Sequence, residues 1–120
     1  MRYMLLCYDD GAAWEKAGDE ALQAAVREAV QLTHELDAKG QYIMASPLES
    51  TKTARSVRVR DGKQLVTDGP FAETREHLGG FYLIEADNLD EVIRIAARHP
   101  GARMGTVEIR PIMEIPGVPS

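Results

Sequence analysis

Six side chains carry the candidate chemistry: Asp68 and His99 as groups that could move a proton, with Tyr8, Arg58, Phe71 and Tyr82 as groups that could hold a substrate. A carboxylate, an imidazole and phenols exchange protons usefully near neutral pH only where a cleft perturbs their pKa. An Arg beside an Asp lowers the acid's pKa, which suits holding an anion more than removing a proton. The competing reading makes each residue structural, in that Asp68 holds a turn, Arg58 is a solvated strand residue, and both tyrosines are half-buried core. No cofactor is expected, because Gly79-Gly80 opens a strand instead of the helix a phosphate loop needs, and there is no nucleophile elbow. No metal is expected either, since the single Cys and the separated His34, His77 and His99 do not stand at ligand spacing. His34 reads as a solvated helix residue. Cys7, inside an apolar run, reads as a small buried hydrophobe and not a nucleophile.

Asp68 belongs to the least ordinary stretch of the chain, Asp68-Gly69-Pro70-Phe71-Ala72-Glu73-Thr74-Arg75-Glu76, with Gly79-Gly80-Phe81-Tyr82 behind it. Gly69 can take a backbone conformation closed to other residues, Pro70 fixes its own φ, and the Asp68 carboxylate can cap the turn, most simply on the Phe71 N–H because Pro70 has none. The spacing predicts a short helical turn from Pro70, with Phe71 as its hydrophobic anchor.

This string resembles the signature of the DGPF group within the YCII-related family, and residues 1–8, 57–60 and 79–115 also follow the family pattern. The resemblance implies a small ferredoxin-like α+β protein that forms a dimeric α+β barrel. Some relatives lie beside an extracytoplasmic-function sigma factor, and most are of unknown function. YCII-type members without the DGPF motif pair a His on the first helix with an Asp just before a Pro after the second helix. Those positions correspond to Ala29 and His99 here, so that dyad, and the dehalogenase-like or lyase-like chemistry tied to it, is not carried over.

At 120 residues the chain suits one domain, residues 1–115, with 116–120 as a flexible tail. A formal charge of -5 and scattered basic residues argue against a nucleic-acid surface. No apolar stretch reaches membrane-spanning length and the N-terminus lacks a signal-peptide pattern, so a cytoplasmic location is expected.

The elements that must position the candidates follow from periodicity. Residues 2–8 suit a buried central strand ended by Asp9-Asp10-Gly11, and residues 12–18 a connector or short helix in which Trp14 caps the core edge. Leu22, Val26, Ala29, Val30 and Leu36 recur at helical spacing over 19–39, with Asp19 as N-cap and Gly40 as stop. Strands are expected at 41–48, at 56–60 and 64–67 joined by an Asp61-Gly62 hairpin turn, at 80–86 and at 106–112. A second helix at 89–98, capped by Asn88, should turn Leu89, Val92, Ile93 and Ala96 inward. One layer of two helices cannot cover both sheet faces, so a homodimer burying the face with Val57, Val59 and Leu83, or with the residues alternating with them, is expected. Two functional readings stay open. One is a cofactor-independent acid/base enzyme on a small polar or aromatic molecule; the other is a non-catalytic dimeric module for a ligand or regulatory partner, linked to sigma-factor-dependent transcription.

Overall fold

The computed structural model describes residues 1–72 and 74–119. The apolar run at the N-terminus forms β1 (Arg2–Asp9), which pairs antiparallel with β5 (His77–Glu85) on one side and β6 (Thr106–Pro111) on the other. β2 (Tyr42–Pro47) pairs antiparallel with β5, giving a four-stranded sheet in the order β2-β5-β1-β6. Along β1 every second side chain, Tyr3, Leu5 and Cys7, is buried, as the period of two requires. Those three meet Tyr82 and Ile84 of β5, Leu32 and Leu36 of α2 (Asp19–Ala38), and Val92, Ile95 and Ala96 of α3 (Leu89–Arg98). Both long helices therefore pack on one face of an antiparallel α+β sheet. No helix among the described residues is long and apolar enough to cross a membrane.

Short-range signals set most element ends. Asp10 caps α1 (Gly11–Ala17) by accepting from the Ala12 N–H at 3.0 Å, and Asn88 caps α3 by accepting from Glu91 N–H at 2.9 Å. α2 starts one residue away from the expected cap: Gly18, at φ +94, takes the N-cap position and Asp19 is the first helical residue. Two expectations about buried stripes change. On α3 the inward residues are Val92, Ile95 and Ala96, while Leu89 and Ile93 are exposed, because the packed stripe runs i, i+3, i+4 from Val92. On α2 only Leu32 and Leu36 are buried, and Leu22, Val26 and Val30 stay exposed although their spacing is that of a core stripe. A further turn, α4 (Gly101–Met104), follows α3 before β6.

β3 (Arg55–Arg60) and β4 (Lys63–Asp68) form a hairpin apart from the main sheet, turning at Asp61 (φ 52) and Gly62 (φ 72). Val57 lies opposite Val66, and Val57 and Val59 are 62% and 63% exposed. They therefore do not share a sheet face with Leu83; the open face of the main sheet instead carries Met4, Leu6, Phe81 and Leu83, which pair across β1 and β5. The segment after β4 also differs from expectation. The Asp68 carboxylate pairs with the Arg55 guanidinium at 3.1 Å, and the turn is held by Gly69 N–H donating to the Ala54 carbonyl (2.8 Å) and Ser56 Oγ donating to the Gly69 carbonyl (2.8 Å). Gly69 has φ +94, the conformation expected of it. Residues 70–72 and 74–76 form bends without a helical turn; Glu73, part of the expected helix, lies outside the described residues.

Candidate functional site

The exposed stripe of α2 has a counterpart across a gap. Leu22, Val26 and Val30, with Ala25 and Ala29, form one wall of a half-open cleft of about 790 Å³, and the other wall is the β2–β5 end of the sheet. The N-terminal half of α2 thus stands off the sheet that its C-terminal half packs on. A volume of this size accommodates a small organic molecule. The walls are mainly apolar, and the polar side chains along them include Asp9, Trp14, Glu49, His77, Tyr82 and His99.

Each of these is placed by a local feature of the sequence. Asp9 continues the Leu5, Cys7 alternation at the end of β1, leaving Asp10 to make the turn. Its carboxylate fits because Gly79 of β5 lies beside it without a side chain: a Cβ there would come 3.0 Å from Asp9 Oδ2. Gly80 likewise lets β2 close in, since a Cβ there would meet the Ser46 carbonyl oxygen at 3.0 Å. Tyr82 is buried and donates from Oη to the Ala29 carbonyl of α2 at 3.2 Å. His99 ends α3; its ring meets Tyr82 edge to face with centroids 5.2 Å apart, and Nδ1 accepts from Gly101 N–H at 2.9 Å. That bond assigns the neutral tautomer: Nδ1 offers its lone pair, so Nε2 carries the hydrogen. Gly101 is required for this contact, because a Cβ there would stand 2.8 Å from His99 Nδ1.

The environment moves the two titratable groups toward each other. Burial pushes the Asp9 carboxyl up, and Asp10 and Glu76 add to that, against the Trp14 indole N–H and His77. Burial pushes His99 down, against the field of Glu28 and with that of Arg103. Burial, and then the nearby Asp9, raises the Cys7 thiol to about 11, so the residue stays a thiol at neutral pH. Tyr82 is pushed up to about 12, chiefly by burial, and serves as a hydrogen-bond donor. Among the described residues no three His, Cys, Asp or Glu side chains group as a metal-ligand set.

Of the six residues singled out in the sequence, the structure brings Tyr82 and His99 together in this cleft. The other four lie elsewhere. Asp68 is 87% exposed at the end of β4, Arg58 sits on the exposed hairpin, and Phe71 is 79% exposed beyond it. Tyr8 does not line the cleft; its neighbours Cys7 and Asp9 do. Asp9 and Trp14 are the cleft residues that motif reading passes over, and counting by twos along β1 from Leu5 is the signal that finds Asp9.

An antiparallel four-stranded sheet with two helices on one face and a ligand-sized cleft under one of them defines a small α+β protein. The chain belongs to the YCII-related family, whose domain model matches residues 1–116. It is similar to an uncharacterized protein of Rhizobium meliloti (strain 1021), 36% identical over 117 residues that span 93% of this chain and 92% of the relative.

Proposed function

We propose that this YCII-related protein is an acid/base enzyme that shifts a proton on a small, largely apolar or aromatic molecule held between α2 and the sheet, and that the chemistry calls on no metal or cofactor. The observation that supports this reading is that one largely apolar cleft is lined both by a carboxylate that burial pushes up and by a neutral imidazole that burial pushes down. Two titratable groups pushed away from their ordinary values divide the roles of base and donor between them. Asp9 takes the proton from carbon, and the His99 Nε2–H donates to the oxygen on which negative charge collects. His99 suits the donor role better than the base role because its Nδ1 lone pair is already engaged by Gly101.

Deuterium uptake tests this. In D2O the protein should speed exchange of the benzylic hydrogens of 1-phenylpropan-2-one, followed by proton NMR. Asp9→Asn should lower the rate by about 10²-fold or more, and His99→Asn, which keeps an acceptor for Gly101 N–H, by about 10²-fold. A parent protein no faster than its Asp9→Asn variant would refute the assignment.

A second feature supports the assembly that belongs with this reading. The apolar open face of the sheet, with Met4, Leu6, Phe81 and Leu83, suits two ferredoxin-like sheets meeting face to face as a homodimeric α+β barrel. Light scattering on the intact chain should return twice the monomer mass of 13.3 kDa, and a stable monomer at micromolar concentration would remove the barrel.

A further inference from the structure

The charge of the cleft restricts what can occupy it. No Lys or Arg lines it, whereas the carboxylates of Asp9 and Glu49 do. Among the described residues, Arg75 pairs with Asp10 at 3.3 Å, Arg103 with Glu28 at 2.6 and 3.1 Å, and Arg98 with Glu35, while Arg27 on α2 and Arg94 on α3 are not among the residues lining the cleft. Asp9 itself has no Lys or Arg within ion-pair distance among the described residues. We infer that the cleft selects by charge: it takes uncharged apolar or aromatic molecules as substrates, takes their ammonium analogues more tightly against Asp9, and turns away carboxylates and phosphates of the same shape.

This rests on the reading of the cleft as the small-molecule site and adds the substrate class. A bound carboxylate would give up its hydration in an apolar cleft and find acids where it needs a cation. An ammonium group would find the Asp9 carboxylate and, beside it, the Trp14 indole, whose ring attracts cations over its face. By pairing with Asp9 it would also hold that carboxylate ionised and occupied, so an amine should inhibit proton transfer instead of undergoing it. The position of Arg58 on the hairpin removes the anion-holding role that an Arg next to an acid suggests.

Three probes of matched shape separate the outcomes: 2-phenylethanol, 2-phenylethylamine and phenylacetate, each titrated into the intact protein at neutral pH and followed by calorimetry. The amine should bind about tenfold more tightly than the alcohol, a difference of about 1.4 kcal/mol, and phenylacetate about tenfold more weakly or not measurably. In Asp9→Asn the preference for the amine over the alcohol should disappear. The comparison within the parent protein stands even if that variant folds poorly. Phenylacetate binding as well as the amine, or an amine preference that survives Asp9→Asn in a folded protein, would overturn the charge rule. If the expected order is found but no deuterium exchange, the acid/base reading falls alone; if neither the alcohol nor the amine binds at millimolar concentration, both readings fall.

Discussion

Asp9 and His99 make opposite contributions to stability, and the signs follow from their pKa shifts. His99 titrates lower folded than unfolded, so between its folded pKa and about 6.5 the unfolded chain holds more protons and acidification through that window destabilises the fold. Asp9 titrates higher folded than unfolded. Its contribution is therefore most favourable below its ordinary value of about 3.8 and is lost as pH rises through the folded pKa. Neutralising it should help where it is ionised: Asp9→Asn should raise Tm by about 1–3 °C at pH 7 and change it little near pH 4. His99→Asn should flatten the fall in Tm between pH 7 and 5 that the parent shows. Calorimetric scans across that range check both, and an Asp9→Asn protein less stable than the parent at pH 7 would show that the carboxylate serves the fold. Gly101→Ala gives a third residue-level test. Its Cβ would force the His99 ring from its seat against Tyr82, so Tm should drop by several degrees and the His99 pKa, read by NMR, should move up toward its ordinary value.

At the scale of elements, the hairpin and α2 separate what local sequence specifies from what it does not. Asn88, Gly40 and the Asp61-Gly62 turn are local signals, and the helix and hairpin ends they predict are where the structure has them, within a residue or two. Val57, Arg58, Val59 alternate as a half-buried strand should, yet alternation does not say which surface the strand meets, and β3 and β4 pair only with each other. The stripe Leu22, Val26, Val30 has the same spacing whether it packs in a core or walls a cleft, so periodicity does not reveal the site. Asp9 is hidden for a related reason: Asp9-Asp10-Gly11 reads as turn chemistry, and only Asp10 supplies it. His99 and Tyr82 are legible as chemical groups, but motif reading looks for their partner in the Asp68 turn, whose acid pairs with Arg55 at the surface. The hairpin's independence has a direct consequence. The Ala54 carbonyl and Gly69 N–H lie 2.8 Å apart at its base, so residues 55–68 can be replaced by a two-glycine link. The shortened chain should fold with Tm within about 3 °C of the parent. A loss of cooperative melting would mean that the hairpin supports the sheet.

For the whole molecule, one sheet carries two unlike faces. The helix side holds the core and, where α2 stands off, the cleft; the opposite side holds a half-buried apolar strip on β1 and β5. The chain is also broad and thin, 48 × 45 × 19 Å, and the β3–β4 hairpin forms a sheet of its own beside the main one. Function is assigned to the helix side and assembly to the open side, and the two assignments are separable in one experiment. Amide signals of the isotopically labelled protein, followed while 1-phenylpropan-2-one is added to about 5 mM, report which surface the ligand touches. The cleft reading predicts saturable shifts at Ala25, Ala29 and Thr33 on α2, at Gly79 and Gly80 on β5, and at Gly101 beside His99, with the hairpin unmoved. Shifts confined to Met4, Leu6 and Leu83 or to the hairpin, or no saturable shift at all, would contradict the cleft as the functional site.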